Sequence, residues 1–557
     1  MCGIWALLQQ SPILTEKIIT AFNSIKNRGP DSSVMHIDRN YIAGFHRLAI
    51  NDISVNGNQP FYYSNEEYNY VLMANGEIYN HKILENKYNI KPNSRSDCAV
   101  LLPLFIHLNE DFEQLNNELR GEYALLIIKQ HKVTNELYYF ASTDPLSVRP
   151  LFYFVETYDD DVTKQFSIGF SSLLAGLSGL SNNVNRLQQG NMIIGQVDFY
   201  NKTAECKIMR YHKIKVNSEI MISNDEDLNS LYKYIVSVLT DAVILRLESD
   251  RPIGCLLSGG VDSSIIASIL SNIYKKQGKK IKTFSIGFPD STDLKYAKIV
   301  AEHIDSDHHE YIINYEDALK AIPQVIKTIE TYDITTIRAS TPMYLLCKWI
   351  KENFEETVIF SGEGSDELFG GYLYFHNAPD YFEFHRETIK LVSNLHIYDV
   401  LRADRCTSGN SLELREPFLD KDLVNYVCNL SGNYKQPFNN YEKYILRKAF
   451  KGFLPDNVLW RKKAAFSDAV SGSEKPWFKH IQEYCNTLIT DDELILANKN
   501  NLNSIKFTKE SYWFYKIFKQ LFPSYNLKID FWLPKWCNTT DPSATTIENI
   551  YNKKEHQ

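Results

Sequence analysis

Several chemistries are excluded by what this chain of 557 residues lacks. Its nine cysteines are scattered, with no CxxC pair and no Cys/His cluster at zinc spacing, so neither a disulfide framework nor a structural metal is indicated. Reduced thiols and a cytoplasmic setting fit that usage. No run of 18 or more apolar residues is present, so no membrane span is expected. The start lacks the positive region, apolar stretch and small-residue cleavage site of a secretory signal. A formal net charge of −8 and the lack of a basic stripe argue against a nucleic-acid partner. No Walker A loop follows a strand, and no internal repeat is visible.

What is present begins at Cys2. Removal of Met1 would leave a thiol and a free α-amine on one residue, with reference pKa values of roughly 8.5 and 7.7–8.0, a nucleophile with its own base. The apolar run Gly3-Ile4-Trp5-Ala6-Leu7-Leu8 reads as a buried strand that would fix this terminus.

The chain is long enough for two to four domains at roughly 100–200 residues each. To about residue 200, β-rich runs such as 70–74, 123–128, 137–140 and 151–154 alternate with turns, and helices are expected near 15–26 and 97–107. Residues 205–225 are polar and poorly periodic and read as a linker. From Leu228 the pattern changes: a helix, then strands at 253–257, 283–287, 309–313 and 357–360 separated by helical segments. That alternation means a doubly wound parallel sheet with its ligand site at the strand ends. Beyond about residue 375 the chain reads as mostly helical.

The loop Ser258-Gly259-Gly260-Val261-Asp262-Ser263-Ser264 follows one of these strands and opens a helix, where backbone N–H groups gather phosphate oxygens. Asp262 could hold Mg²⁺ on those phosphates, and the strand end 284–287 could read an adenine. A second glycine-rich loop, Ser361-Gly362-Glu363-Gly364-Ser365-Asp366-Glu367, places three acids at another strand end, which requires a compensating cation, proton or basic group. Thr335, Thr336 and Arg338 form a set suited to gripping a carboxylate, and Lys463 could neutralise departing pyrophosphate.

These residues carry a resemblance. SGGVDSS resembles the pyrophosphate loop of the ATP pyrophosphatase superfamily. Together with MCGI, RGPD (28–31), HRLAI (46–50), NGEIYN (75–80), Asp97, TTIRAS (335–340), SGEGSDE (361–367), LRADR (401–405), EPFLD (416–420), AFSDA (465–469) and WCNTTDPS (536–543), it is similar to the glutamine-hydrolysing asparagine synthetases over nearly the whole chain. The resemblance implies an α+β N-terminal-nucleophile-type αββα glutamine amidotransferase domain (2–190). An α/β doubly wound parallel-sheet ATP pyrophosphatase domain with a helical C-terminal part (205–540) and a tail (541–557) would follow. It implies Cys2 as nucleophile; Arg47, Leu48, Ala49, Ile50, Asn51, Asn75, Gly76, Glu77 and Asp97 around glutamine; and Asn75 with Gly76 as oxyanion hole. Leu256, Ser258, Gly259, Gly260, Asp262, Ser263, Ile286, Ser361, Gly362 and Lys463 would meet ATP and pyrophosphate. Thr335, Thr336, Arg338 and Asp366 would meet aspartate or its activated form, with Glu363 as proton acceptor. Substrates would be L-glutamine, L-aspartate and ATP, with Mg²⁺, and a homodimer is among the assemblies it allows. Two residues depart from the pattern, Glu416 and Ala464. An amidotransferase acting on another carboxylate, or a binding protein on the same fold, stays open at this level.

Overall fold

Strand β1 (Gly3–Gln9) is buried along both faces, which is why its sequence is an unbroken apolar run rather than an alternating one. The computed structural model describes residues 1–159, 164–214, 216, 225–289, 291–462, 470–471, 475–501, 506–525, 532–539 and 541–543. They divide into two compact units.

The first unit comprises Met1–Lys213 with the short segments Glu248–Arg251 and Ser408–Glu413. Its strands after β1 are β2 (Ser32–Ile37), β3 (Tyr41–Arg47), β4 (Phe61–Ser64), β5 (Tyr68–Ile78), β6 (Gly121–His131), β7 (Leu137–Thr143), β8 (Phe152–Asp159), β9 (Lys164–Ser171), β10 (Asn185–Arg186), β11 (Asn191–Asp198) and β12 (Thr203–Arg210). They form two six-stranded sheets, ordered β10-β8-β9-β1-β3-β2 and β12-β11-β7-β6-β5-β4. Ile4, Ala6 and Leu8 of β1 meet Met73, Leu126, Ile128, Tyr139 and Ile193 in one core between the sheets. Alternation sends Trp5 to the opposite face, 6.1 Å from Phe22 of helix Glu16–Asn23. On the far side of the second sheet, Leu72, Ala74, Leu125 and Ile127 pack on Leu104, Phe105, Phe112 and Leu115 of two helices, Leu101–His107 and Phe112–Glu118.

One expectation is corrected here. Residues from 205 onward read as linker, yet β12 pairs with β11 over eight positions. It is an edge strand: Ala204, Cys206 and Ile208 alternate with Glu205 and Lys207, and the first two pack on the core, but Ile208 and Met209 are exposed and the small Ala and Cys make the pattern weak against its polar surroundings.

The second unit, Ile214–Leu247, Pro252–Thr407 and Leu414–Gln557, holds β13 (Ile253–Leu256), β14 (Lys282–Gly287), β15 (Asp307–Ile312), β16 (Val358–Phe360) and most of β17 (Glu413–Arg415), in the order β15-β14-β13-β16-β17. β13 runs parallel to both β14 and β16, and β14 to β15. The order reverses at β13, so the crevice between the ends of β13 and β16 is the switch point where ligands of such sheets bind. Helices Val261–Lys276, Thr292–Ile304, Tyr315–Ile329 and Ile334–Asn353 connect the strands. The last begins before TTIRAS and runs through Pro342; Asp333 caps it by accepting from Thr336 N at 2.8 Å. Helix Asp225–Leu245 contains a window, Glu226–Leu245, with a mean hydropathy of 1.3, long and apolar enough by length and composition to cross a membrane. In this unit Leu231, Ile235, Leu239, Ala242 and Val243 of that helix are buried at helical spacing.

Leu126, fully buried between the two sheets, offers a test of this packing. Leu126→Ala should destabilise the first unit by about 2–5 kcal/mol through lost burial and a residual cavity, read as a lower urea midpoint of its unfolding transition.

Candidate active sites

The first site is built where β1, β3 and β5 begin or end. Cys2 immediately precedes β1, and register against β3 (Gly3 opposite His46) brings it beside the end of that strand. Cys2 N donates to Asn75 Oδ1 at 2.8 Å, Leu48 N lies 3.4 Å from the thiol sulfur, and Arg28 Nε donates to Cys2 O at 2.8 Å. Met1 is buried, its amine 3.8 Å from Glu413 Oε2. Burial pushes the Cys2 thiol up, partly offset by the positive chain terminus and the Leu48 N–H.

Asn75 is oriented by this contact. Its carbonyl oxygen takes the Cys2 N–H, and its Nδ2 is buried without a hydrogen-bond partner. An unmet buried donor costs about 1–3 kcal/mol and persists where a ligand supplies the acceptor. Gly76, next to it, has φ +136°, and a Cβ there would lie 1.9 Å from Glu122 O, so only glycine fits.

Arg47 is a buried cation held by neutral acceptors. It donates to Ser54 O and Asn58 Oδ1, both at 2.7 Å, and to Asp52 O. Among the described residues no carboxylate approaches it within ion-pair distance, which leaves its charge for an anionic ligand. Opposite in sign, Glu77 and Asp97 are buried carboxylates that share one amide: Asn51 Nδ2 lies 2.5 Å from Glu77 Oε2 and 3.5 Å from Asp97 Oδ1. Ile78 N also donates to Asp97 at 2.5 Å, while burial pushes the Asp97 carboxyl up. Ala49 N is tied to Asp31 Oδ2 at 2.9 Å and Ile50 O accepts from Asp250 N at 3.0 Å; polar contacts link Arg47 to Asn51 and Asn51 to Glu77 and Asp97, and separately link Cys2 to Leu48 and Asn75. A cation pocket beside an anion pocket, with a thiol and an unmet donor, matches an amino acid's carboxylate and ammonium and a reactive carbonyl.

The second site is a cavity of about 240 Å³ in the second unit. Leu256, Ser258, Gly260, Asp262, Ser263, Ile286, Thr335, Thr336, Ser361, Gly362, Glu363 and Asp366 all line it. Gly259 turns the loop at φ +71°, where a Cβ would meet Ala297 N at 2.4 Å. Gly362 lies so close to the start of helix Val261–Lys276 that a Cβ would be 2.6 Å from Ser263 N, leaving that positive helix end open to an anion. Lys463 falls outside the described residues, as does Ala464.

Sequence reasoning missed the cations that meet the acids here. Lys443, almost fully buried, reaches Asp262 at 2.6 and 2.7 Å and Asp366 at 2.6 Å; Ser365 Oγ adds a bond to Asp262 at 2.7 Å. Arg402, inside LRADR, donates to Glu363 Oε2 at 2.8 Å and Asp399 Oδ1 at 2.7 Å. Glu367 is pushed well above the usual carboxylate range by burial and by the Asp399 and Asp366 charges. Nothing local in the sequence marks Lys443, whereas the LRADR motif did contain Arg402.

Arg338 is a correction. It was expected on a substrate carboxylate, but it does not line the cavity. Its guanidinium donates to Glu510 at 2.7 and 2.8 Å and to Asp541 at 2.9 and 3.1 Å. On its helix the Thr335 and Thr336 side chains face the cavity and the next-but-one residue points away.

Lys443→Met should leave Asp262 and Asp366 without their shared cation and lower the thermal stability of the second unit by about 1.5–3 kcal/mol, the worth of charged hydrogen bonds; calorimetry of the full chain measures it, and an unchanged transition would contradict the bridge.

Comparison with known proteins agrees with this division. The glutamine amidotransferase domain family matches residues 1–233, and the asparagine synthase family matches residues 235–383 and 380–538. A protein of Acanthamoeba polyphaga mimivirus named "Probable asparagine synthetase [glutamine-hydrolyzing]" is 38% identical over 98% of this chain and 100% of its own length. The asparagine synthetases [glutamine-hydrolyzing] of Gallus gallus and Homo sapiens are each 36% identical, over 99% and 98% of this chain and the same shares of their own. The chain belongs to the glutamine-hydrolysing asparagine synthetase family.

Proposed function

We propose that this chain makes L-asparagine from L-aspartate with ammonia released from L-glutamine, converting ATP to AMP and pyrophosphate through β-aspartyl-AMP. The observation that carries the glutamine half is Asn75, whose carbonyl holds Cys2 N while its Nδ2 waits, buried, for an acceptor.

With Met1 removed, the same Cys2 nitrogen becomes the amine that takes the thiol's proton. Arg47 binds the α-carboxylate of glutamine, and Glu77 with Asp97 binds its α-ammonium, displacing the Asn51 amide. The thiolate attacks the side-chain amide carbon; the oxyanion forms against Asn75 Nδ2 and the Gly76 N–H, ammonia leaves, and water cleaves the thioester to glutamate. The fold that presents Cys2 is then of the N-terminal-nucleophile type.

In the synthetase unit the loop 258–263 and the start of its helix hold the phosphates, and Leu256 and Ile286 flank the adenine. The β-carboxylate of aspartate attacks the α-phosphate and pyrophosphate departs, its charge neutralised by Lys463. Ammonia then attacks the acyl carbon and AMP leaves, with Glu363 accepting the proton. Asp262 and Asp366, hard oxygen donors brought together on Lys443, would hold Mg²⁺ beside the phosphates. Bound there, Mg²⁺ would neutralise phosphate charge, and Lys443 would have to yield part of its contact with both acids. A cytoplasmic homodimer completes the reading.

Full chain given Mg-ATP, aspartate and amide-¹⁵N glutamine should yield AMP, pyrophosphate and ¹⁵N-asparagine in equal amounts; ADP in place of AMP, or unlabelled product, would overturn the proposal. Cys2→Ala should abolish glutamine use and spare synthesis from added ammonia. Asn75→Ala should lower glutamine-dependent turnover by about 10²–10³-fold, the usual cost of one oxyanion donor, again with ammonia-dependent synthesis kept.

A further inference from the structure

The C-terminal motif WCNTTDPS and the tryptophan before it have no part in the reactions above, yet Trp532 lines the synthetase cavity. Its ring lies 5.9 Å from that of Tyr372 and 5.7 Å from that of Tyr374. The Tyr372 hydroxyl in turn donates to Glu367 and lies 3.4 Å from Asp399. The indole therefore backs the acidic end of the cavity, where Glu363, Asp399 and Arg402 converge, rather than the phosphate loop.

The segment that carries Trp532 is fastened at three further points. Lys535 reaches Glu383 at 3.2 Å and Glu387 at 3.3 Å. The Trp536 ring packs 6.0 Å from Tyr374 and 6.3 Å from Phe375. Asp541 receives both Nη atoms of Arg338, and Gln482 Nε2 at 3.0 Å. Arg338 sits on the same helix as Thr335, Thr336 and Ala339, which line the cavity. So one helix carries cavity wall on one face and, on another, the anchor of the segment that supplies the facing wall.

We propose that Trp532 is the wall that keeps water from the acyl carbon of β-aspartyl-AMP, and that the Arg338–Asp541 clamp is the positioning device that holds it there. This rests on the adenylate reading above. An acyl-adenylate has two fates at one carbon. Ammonia attack breaks the acyl–oxygen bond to give asparagine and AMP; attack by water breaks the same bond to give aspartate and AMP. Pyrophosphate has already left in both cases, so lost shielding shows as pyrophosphate made without asparagine, a side reaction that closed sites suppress.

The experiment supplies full-length enzyme with Mg-ATP, aspartate and ammonium chloride in H₂¹⁸O and measures asparagine, pyrophosphate and ¹⁸O in aspartate. Wild type should give asparagine and pyrophosphate in equal amounts with little label. Trp532→Ala should lower the asparagine to pyrophosphate ratio by roughly threefold or more and place ¹⁸O in the aspartate β-carboxylate, and Trp532→Phe should restore both. Asp541→Asn, remote from the cavity, should shift the ratio in the same direction and serves if Trp532→Ala does not fold. An unchanged ratio without label in Trp532→Ala, or in Asp541→Asn if that is the variant that folds, overturns the wall. ADP from wild type overturns the adenylate reading instead.

Discussion

A charge taken out of water must be met by opposite charge or by oriented dipoles, or it costs several kcal/mol, and both sites of this molecule are solutions to that constraint. The solutions differ in kind. In the first unit Arg47 is met by carbonyl oxygens, and Glu77 with Asp97 by the amide of Asn51. Dipoles compensate such charges only in part, so each pocket keeps an affinity for a full charge of opposite sign. In the second unit Lys443 and Arg402 each bridge two carboxylates, so both cations are met in full until a phosphate or a cation competes for one of the partners. Arg338, between Glu510 and Asp541, belongs to a third kind: fully matched, bidentate and away from the cavity, it is architecture.

That distinction explains what could be read from the chain. The alternation of strands and helices from 253 to 360 was legible because β13, β14 and β16 leave short apolar runs between helical segments, with β15, a partly exposed DHHEYI, read from its place between two of those segments. The two glycine loops were legible because backbone geometry demands glycine there: a Cβ at Gly259 or Gly362 would strike main-chain atoms. Cys2 was legible from its place beside the chain terminus, and Asn75, Gly76 and Asp97 through the family resemblance. Lys443 was not, since a lysine gains its meaning only from the two acids that folding brings to it from distant loops. Arg338 was misread for the same reason, its partners Glu510 and Asp541 lying far along the chain. The edge strand β12 escaped because its apolar face is only Ala204, Cys206 and Ile208, two small residues and one exposed one, set in a polar stretch.

Pairing of β1 with β3 and β9 on either side does for the first site what the end of β13 does for the second. Each sets a short reactive segment at the end of a central strand, so that the mobile part of the chemistry is the ligand and not the scaffold. A rigid strand end fixes the Cys2 nitrogen against Asn75 to within a hydrogen bond, the tolerance that attack on an amide carbon requires.

The first unit is discontinuous in sequence: it draws in Glu248–Arg251 and Ser408–Glu413. Arg28, which holds the Cys2 carbonyl, also donates to Ser408 Oγ at 3.0 Å, and Arg251 Nε donates to Ala49 O at 2.8 Å. On the ribosome, where domains generally fold in order of emergence, this unit cannot reach its final form when its last β-strand appears. The supports of its nucleophile arrive only after most of the parallel sheet has been synthesised, so the thiol is assembled into its working environment late, when β13 to β16 of the unit that consumes its product already exist.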